Sequence, residues 1–331
     1  MEKIQMLKVT KVVVSAPGKL MLLGDHAVVH NRPCLVTAVD QRIYLTAEIL
    51  DEQILELNAP DVQIEKYKKN IKDIGTGDIP KGAKFIEIAI KNFSEIYPIE
   101  IGLKISTKSD FSSSFGFGSS SASTVCILKA LSELLNLGLS PKEIFNIAYK
   151  TVLDIQGVGS GFDTAAGIYG GILYFVGGGK VIEPILVKSL PLIVGYSGLK
   201  GDTPTLVKMV GEKMKIFPSI LPHLFDISTA CVEEGRKALI AGDFTRFGEM
   251  MNINEGLLSA YGVEIGRLAA MTHAARDAGA YGAKLSGAGG GDCMIAVAPN
   301  HKTLTVKKAI TNAGGQVLDV KANAEGVRIE K

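Results

Sequence analysis

Apolar Ile99, Ile101, Leu103 and Ile105 alternate with Glu100, Gly102, Lys104 and Ser106, which is the period of a half-buried strand. Upstream, Ile86, Ile90, Phe93 and Tyr97 recur at helical spacing, and Pro98 stops that helix. Downstream, a Ser/Gly segment over residues 109–121 gives way to a helix with Ile127, Leu128, Leu131 and Leu135 on one face. The predicted order is helix, strand, glycine loop, helix.

The rest of the first hundred residues reads as strands over 9–15, 19–23 and 35–49 joined by turns, while 58–78 is polar and carries no clear period. A helix is expected over 141–153, then a second Gly-rich loop at 157–163 and strand-like apolar residues at 171–176. A composition break at 180–191 divides the chain into expected domains 1–185 and 186–331. Beyond it come a strand at 192–196, a helical stretch over 204–278, and two short strands at 283–285 and 292–298 flanking a third Gly loop. A helix at 302–313, capped by Gly314, and a last strand at 326–330 complete the chain. That succession is the split β-α-β order of a ferredoxin-like half.

Composition narrows the function classes. The 331 residues suit about two domains, and 47% hydrophobic with 21% charged residues is globular composition. Net charge is +2 with no basic block, so nucleic-acid binding has no support. Cys34, Cys126, Cys231 and Cys293 are far apart and show no metal spacing, as expected of reduced thiols in a cytoplasmic protein. The start, residues 1–3, runs into Val12-Val13-Val14 and Pro17-Gly18, too short an apolar run for a secretory segment. No stretch approaches the roughly 20 apolar residues of a membrane span.

Four loops carry candidate chemistry. Gly116-Phe117-Gly118-Ser119-Ser120-Ser121 lies between a strand and a helix. Glycines there let backbone approach a phosphate, and the first helical amides face any anion present. A flexible linker with a serine cap is the bland reading. Pro17-Gly18-Lys19 precedes Gly24-Asp25-His26-Ala27, and Lys19 is flanked by Leu20, Met21, Leu22 and Leu23. It is either a snorkelling edge residue or a cation facing an anionic site. Gly157-Val158-Gly159-Ser160-Gly161-Phe162-Asp163 ends in a carboxylate that either caps a turn or accepts a hydroxyl proton. Lys284-Leu285-Ser286-Gly287-Ala288-Gly289-Gly290-Gly291-Asp292 has more glycine than a hairpin needs and suits a backbone nest near phosphates.

Together and in this order, these segments resemble the galactokinase–homoserine kinase–mevalonate kinase–phosphomevalonate kinase (GHMP kinase) superfamily over nearly the whole chain. The resemblance implies an α+β, two-domain GHMP kinase fold, with a ribosomal-S5-like α/β N-terminal domain and a ferredoxin-like C-terminal domain. It implies an ATP- and Mg²⁺-dependent small-molecule kinase with its active site between the domains. Carried over residue by residue, Gly116, Phe117, Gly118, Ser119, Ser120, Ser121 and Ala122 match the ATP loop, with the superfamily's proline falling on Ser112. Ser120 becomes a magnesium ligand, Asp163 the catalytic aspartate and Lys19 the lysine beside it. Gly287, Ala288, Gly289 and Gly290 form the phosphate-side loop, and Asp25, His26 and Thr203 contact the acceptor.

The segment from Pro17 to Val29 is most similar to the mevalonate kinases, which carry Glu where Asp25 stands. Those enzymes also carry a metal-binding Glu four residues before a His-Gly pair. Gln156-Gly157 matches that pair and puts Val152 at the Glu position, leaving Asp154 as the nearest carboxylate for a second ligand. The 156–163 and Gly291-Asp292-Cys293 segments are similar to phosphomevalonate kinases, which keeps 5-phosphomevalonate beside mevalonate as the acceptor. A non-catalytic ligand-binding member and a decarboxylase of the same fold are the further alternatives. Such kinases are often homodimers.

Overall fold

The computed structural model describes residues 9–330; the opening residues read for a secretory segment lie in part outside them. An eight-stranded mixed sheet forms the first half. It contains β1 (Lys11–Leu23), β2 (Pro33–Leu50), β3 (Ile54–Ala59), β4 (Ile64–Asn70), β5 (Gly102–Ser109), β6 (Ile172–Val176), β7 (Val181–Ile185) and β12 (Arg328–Ile329). The path is β12-β1-β2-β5-β3-β4, and β6 pairs with both β2 and β7. The 18-residue β2 is shared: residues 33–37 pair with β6 and 43–50 with β5.

Of the four helices here, α2 (Ser119–Leu134) and α4 (Phe162–Tyr169) pack on β1 and β2, while α1 (Lys84–Ser94) and α3 (Pro141–Gln156) pack against α2 and each other. The start of α3 is fixed by Ser140, whose hydroxyl accepts from Glu143 N while Glu143 reaches back to Ser140 N. Its end is set by Gly157, so the chain turns out of the helix toward Asp163.

The second half has a four-stranded antiparallel sheet in the order β11-β8-β10-β9, made of β8 (Leu192–Tyr196), β9 (Gly282–Ser286), β10 (Cys293–Val297) and β11 (Gln316–Leu318). The helical stretch between β8 and β9 is four helices: α5 (Thr203–Ile216), α6 (Leu221–Ala241), α7 (Phe244–Tyr261) and α8 (Gly266–Asp277). The last helix, α9 (Thr303–Asn312), precedes β11. Val232, Leu239, Phe247 and Met251 of α6 and α7 are buried in the same core as β1 and β2, which joins the two halves.

Three expectations change. The strands expected at 9–15 and 19–23 are one strand, β1, whose register against β2 slips at Pro17/Gly18. The polar 58–78 segment contains most of the β3–β4 hairpin, in which β4 is an edge strand and carries Lys68 and Lys69. The final strand does not belong to the ferredoxin-like half: β12 pairs with Val14 and Ser15 of β1, and β11 takes its place in the second sheet. The cause is Arg42. Its buried guanidinium donates to Ser15 Oγ (2.7 Å), Ser15 O (3.0 Å), Glu325 O (2.8 Å) and Gly326 O (2.8 Å), pinning the chain end to the first sheet. Among the described residues, no helix is long and apolar enough to cross a membrane.

Candidate active site

The slip in β1 brings its backbone against the glycine loop before α2. Lys19 N donates to Phe117 O at 2.9 Å. The Lys19 ammonium then bridges two segments: it donates to Gly116 O (3.0 Å) and lies 2.9 Å from Asp163 Oδ1. It also stands 5.2 Å from the centroid of the Phe162 ring. Lys19 is buried and paired with a carboxylate, which is not the position of a snorkelling edge residue.

Gly118 precedes the first turn of α2 with φ +75°, and a side-chain carbon there would lie 3.0 Å from Lys19 Cε and 3.4 Å from Asp163 Oδ1. The loop is thus laid directly over the Lys19–Asp163 pair, at a spacing only glycine permits. No side chain caps the start of α2, so its first amides point outward. Asp163 sits in the first turn of α4, whose positive end favours a carboxylate. Helix α4 itself was not expected from the sequence.

The third glycine loop closes on the first from the other half. Asp292, in the left-handed region at φ +59°, accepts from Gly201 N with Oδ1 (3.0 Å), and its backbone N donates to Leu199 O (2.7 Å). A side-chain carbon at Gly116 would meet Asp292 Oδ2 at 2.5 Å, so this carboxylate is pressed on the loop. Cys293 Sγ donates to Phe115 O (3.2 Å), and Lys200 Nζ donates to Ser113 O (3.0 Å). Burial pushes the Asp292 carboxyl up, opposed by the Gly201 amide and by Lys19 and Lys200. Burial also pushes the Cys293 thiol up, so it stays protonated and inert.

The remaining expected residues fall in different places. Asp25 and His26 meet the third loop: Asp25 Oδ1 accepts from Gly287 N (2.7 Å), and His26 Nε2 is 3.0 Å from Ala288 O. Burial lowers the His26 pKa, only partly offset by the Ala288 carbonyl, so the neutral ring donates through Nε2. Thr203 is exposed at the first position of α5, two residues beyond Gly201. Ser120 is half-buried in the first turn of α2. Asp154 is engaged elsewhere: it accepts from Asn92 Nδ2 of α1 (2.9 Å) and Lys150 Nζ (2.7 Å) on the exposed face of α3. Val152 packs beneath the loop at Gly159, an apolar neighbour where a metal-binding carboxylate was sought. Sequence reasoning assigned no role to Asp292, Lys200 or Lys284. The one available signal was the charge closing or opening a glycine run.

Residues 84–171 match the GHMP kinases N terminal domain and residues 236–314 the GHMP kinases C terminal domain. The chain belongs to the GHMP kinases, and it is an ATP-dependent small-molecule kinase of that class. The mevalonate kinase of Pyrococcus abyssi is 36% identical over 332 residues, covering 97% of this chain and 98% of that protein. The mevalonate kinase of Pyrococcus furiosus is 35% identical over 334 residues, covering 97% and 99%. Among solved structures, the Methanococcus jannaschii mevalonate kinase superposes with a TM-score of 0.80 at 25% identity, covering 95% of this chain and 99% of that one.

Proposed function

We propose that this chain is a mevalonate kinase, transferring the γ-phosphoryl group of ATP to the 5-hydroxyl of mevalonate. The observation that carries the reading is the three-way contact of Lys19 with Asp163 and Gly116, directly under Gly118 of the loop before α2. It is supported by the full-length likeness to archaeal mevalonate kinases.

In this reading residues 116–122 and the open amides of α2 receive the nucleotide phosphates. Asp163 orients the 5-hydroxyl and accepts its proton as the oxygen–phosphorus bond forms and the bond to the ADP oxygen breaks. Lys19 neutralises charge on Asp163 and on the attacking oxygen. Positioning and charge stabilisation carry most of the rate in such transfers. His26 and Thr203 face the polar groups of the acceptor, with Asp25 behind His26, and residues 287–290 support the phosphate side.

The half-buried Ser120 hydroxyl in the first turn of α2 is the hard oxygen type that Mg²⁺ takes. Ser120 would hold the ion, which would supply neutralisation of charge on the nucleotide phosphates. Asp154 has no part in this arrangement. The proposed setting is the cytoplasm, in keeping with four free and buried cysteines, and the proposed assembly is a homodimer.

The test is purified protein with ATP and Mg²⁺, offered mevalonate and 5-phosphomevalonate separately while ADP release is followed. Turnover of mevalonate is expected. Turnover of the phosphorylated compound alone would move the assignment to phosphomevalonate kinase, the reading that the Gly291-Asp292-Cys293 segment favours.

A further inference from the structure

The turn after β1 and the end of β9 meet along a polar seam between the two halves. Met21 N donates to Ser286 Oγ (2.9 Å), and that hydroxyl donates back to Met21 O (3.0 Å). Next, Gly287 N reaches Asp25 Oδ1 and His26 Nε2 reaches Ala288 O. Beneath them Lys284 Nζ lies 2.7 Å from Asp25 Oδ2 and donates to Leu285 O at 2.5 Å. The Lys284 and Asp25 side chains are 0% and 1% exposed.

A sealed ion pair is a poor stabiliser, because desolvation of both charges offsets their attraction, and its best-attested use is to fix registry. The surroundings favour registry here. Glu255 Oε1, Asn254 Nδ2 and Tyr261 OH are buried without a hydrogen-bond partner among the described residues. All three belong to the same seam: Glu255 Oε2 accepts from Leu285 N (2.8 Å), Asn254 Oδ1 accepts from Gly24 N (3.4 Å), and the Tyr261 ring meets His26 edge-on at 5.9 Å. His26 is also held at φ +60°, a left-handed conformation that a non-glycine residue keeps only when its neighbours impose it.

We propose that Asp25 and Lys284 form a clamp between the two halves that seats residues 287–290 against the His26 turn, so that Asp25 is a positioning residue acting through Lys284 and Gly287 and makes no contact with the acceptor. Asp25 Oδ1 accepts from Gly287 N, Oδ2 is ion-paired with Lys284 without a well-directed hydrogen bond, and the side chain is sealed from water. The short side chain matters: Asp25 spans the two partners from inside the turn. What the acceptor meets is His26, whose ring orientation the clamp fixes through Ala288. This deepens the mevalonate kinase reading and rests on its placing of the acceptor beside His26.

Three variants test it: Lys284→Met, Asp25→Asn, and the two combined. Each single change strands one buried partner, whereas the double removes both charges and is expected to melt close to the wild type. In all that fold, the acceptor KM should rise about tenfold or more while the ATP KM stays within about twofold, and the double should be no worse than either single. A double variant with the wild-type acceptor KM would reduce the pair to a structural feature. Loss in Asp25→Asn with none in Lys284→Met, or losses that multiply in the double, would make Asp25 a direct contact. Wild-type turnover of mevalonate is measured first. Its absence defeats the acceptor assignment alone, and the variants are then compared on the acceptor the wild type uses.

Discussion

Two lysine–aspartate pairs stand on β1 and the turn that follows it, and they differ in how water reaches them. Lys19 and Asp163 are 2.9 Å apart with side chains 11% and 30% exposed. Lys284 and Asp25 are 2.7 Å apart and sealed. Both join segments remote in sequence, and both lie under a glycine loop. A carboxylate that must take a proton from a substrate has to be reachable, so only the first pair can serve chemistry directly. The second trades reach for rigidity. The same two residue types therefore act at the reacting atoms in one place and in registry between sheets in the other, with burial deciding which.

The sharpest way to break that contrast is at Asp163. Asp163→Asn should lower kcat by about 10³-fold, the middle of the range for loss of a positioned base, while leaving binding of a non-hydrolysable ATP analogue nearly intact. Near-normal turnover would remove Asp163 from the role. Lys19→Met should cost about 10²-fold in kcat, since one stabiliser of developing charge is lost. The same change should lower stability by only about 1 kcal/mol, because the pair is partly solvated. A collapse of the fold on losing Lys19 would erase the distinction between the pairs. Gly118→Ala comes next. Its φ of +75° and the 3.0 Å approach to Lys19 Cε should reduce kcat/KM about tenfold, with roughly 1–2 kcal/mol of backbone cost. Thermal melts beside steady-state kinetics separate the two effects.

How much of this the sequence disclosed follows the same division. Lys19, Asp163 and the residue 116–122 loop stood out as a charge among leucines, a carboxylate closing a glycine run and a glycine loop between a strand and a helix of clear period, while their roles came only from the resemblance. Helix α4 was not, since Ala165, Ala166 and Gly167 give it no apolar stripe. Strand β4 was obscured because an edge strand carries charge on its open side. The destination of β12 rests on partners nearly three hundred residues away or more along the chain, Arg42 and β1, and no local pattern encodes it. The sealed pair was hidden for the same reason. Lys284 looks like any lysine in a short strand until Asp25 is placed opposite, and the Gly287 N to Asp25 contact spans 262 positions.

The smallest predicted effect probes the sealed side by pH. Glu255 of α7 is buried beside Lys284, and desolvation pushes its carboxyl up to about 8, with Lys284 and the Leu285 amide opposing and Glu264 adding to the rise. A carboxyl whose folded pKa lies above the unfolded value of 4.5 favours folding when protonated. Its contribution is complete below 4.5 and is lost as pH rises through about 8. Glu255→Gln keeps an acceptor for Leu285 N and cannot ionise. It should match the wild type in urea unfolding at pH 5 and exceed it by on the order of 1–2 kcal/mol at pH 9. An unchanged offset between variant and wild type at the two pH values would mean that the seam around Lys284 is wetter than its burial indicates, and the contrast between the two pairs would narrow accordingly.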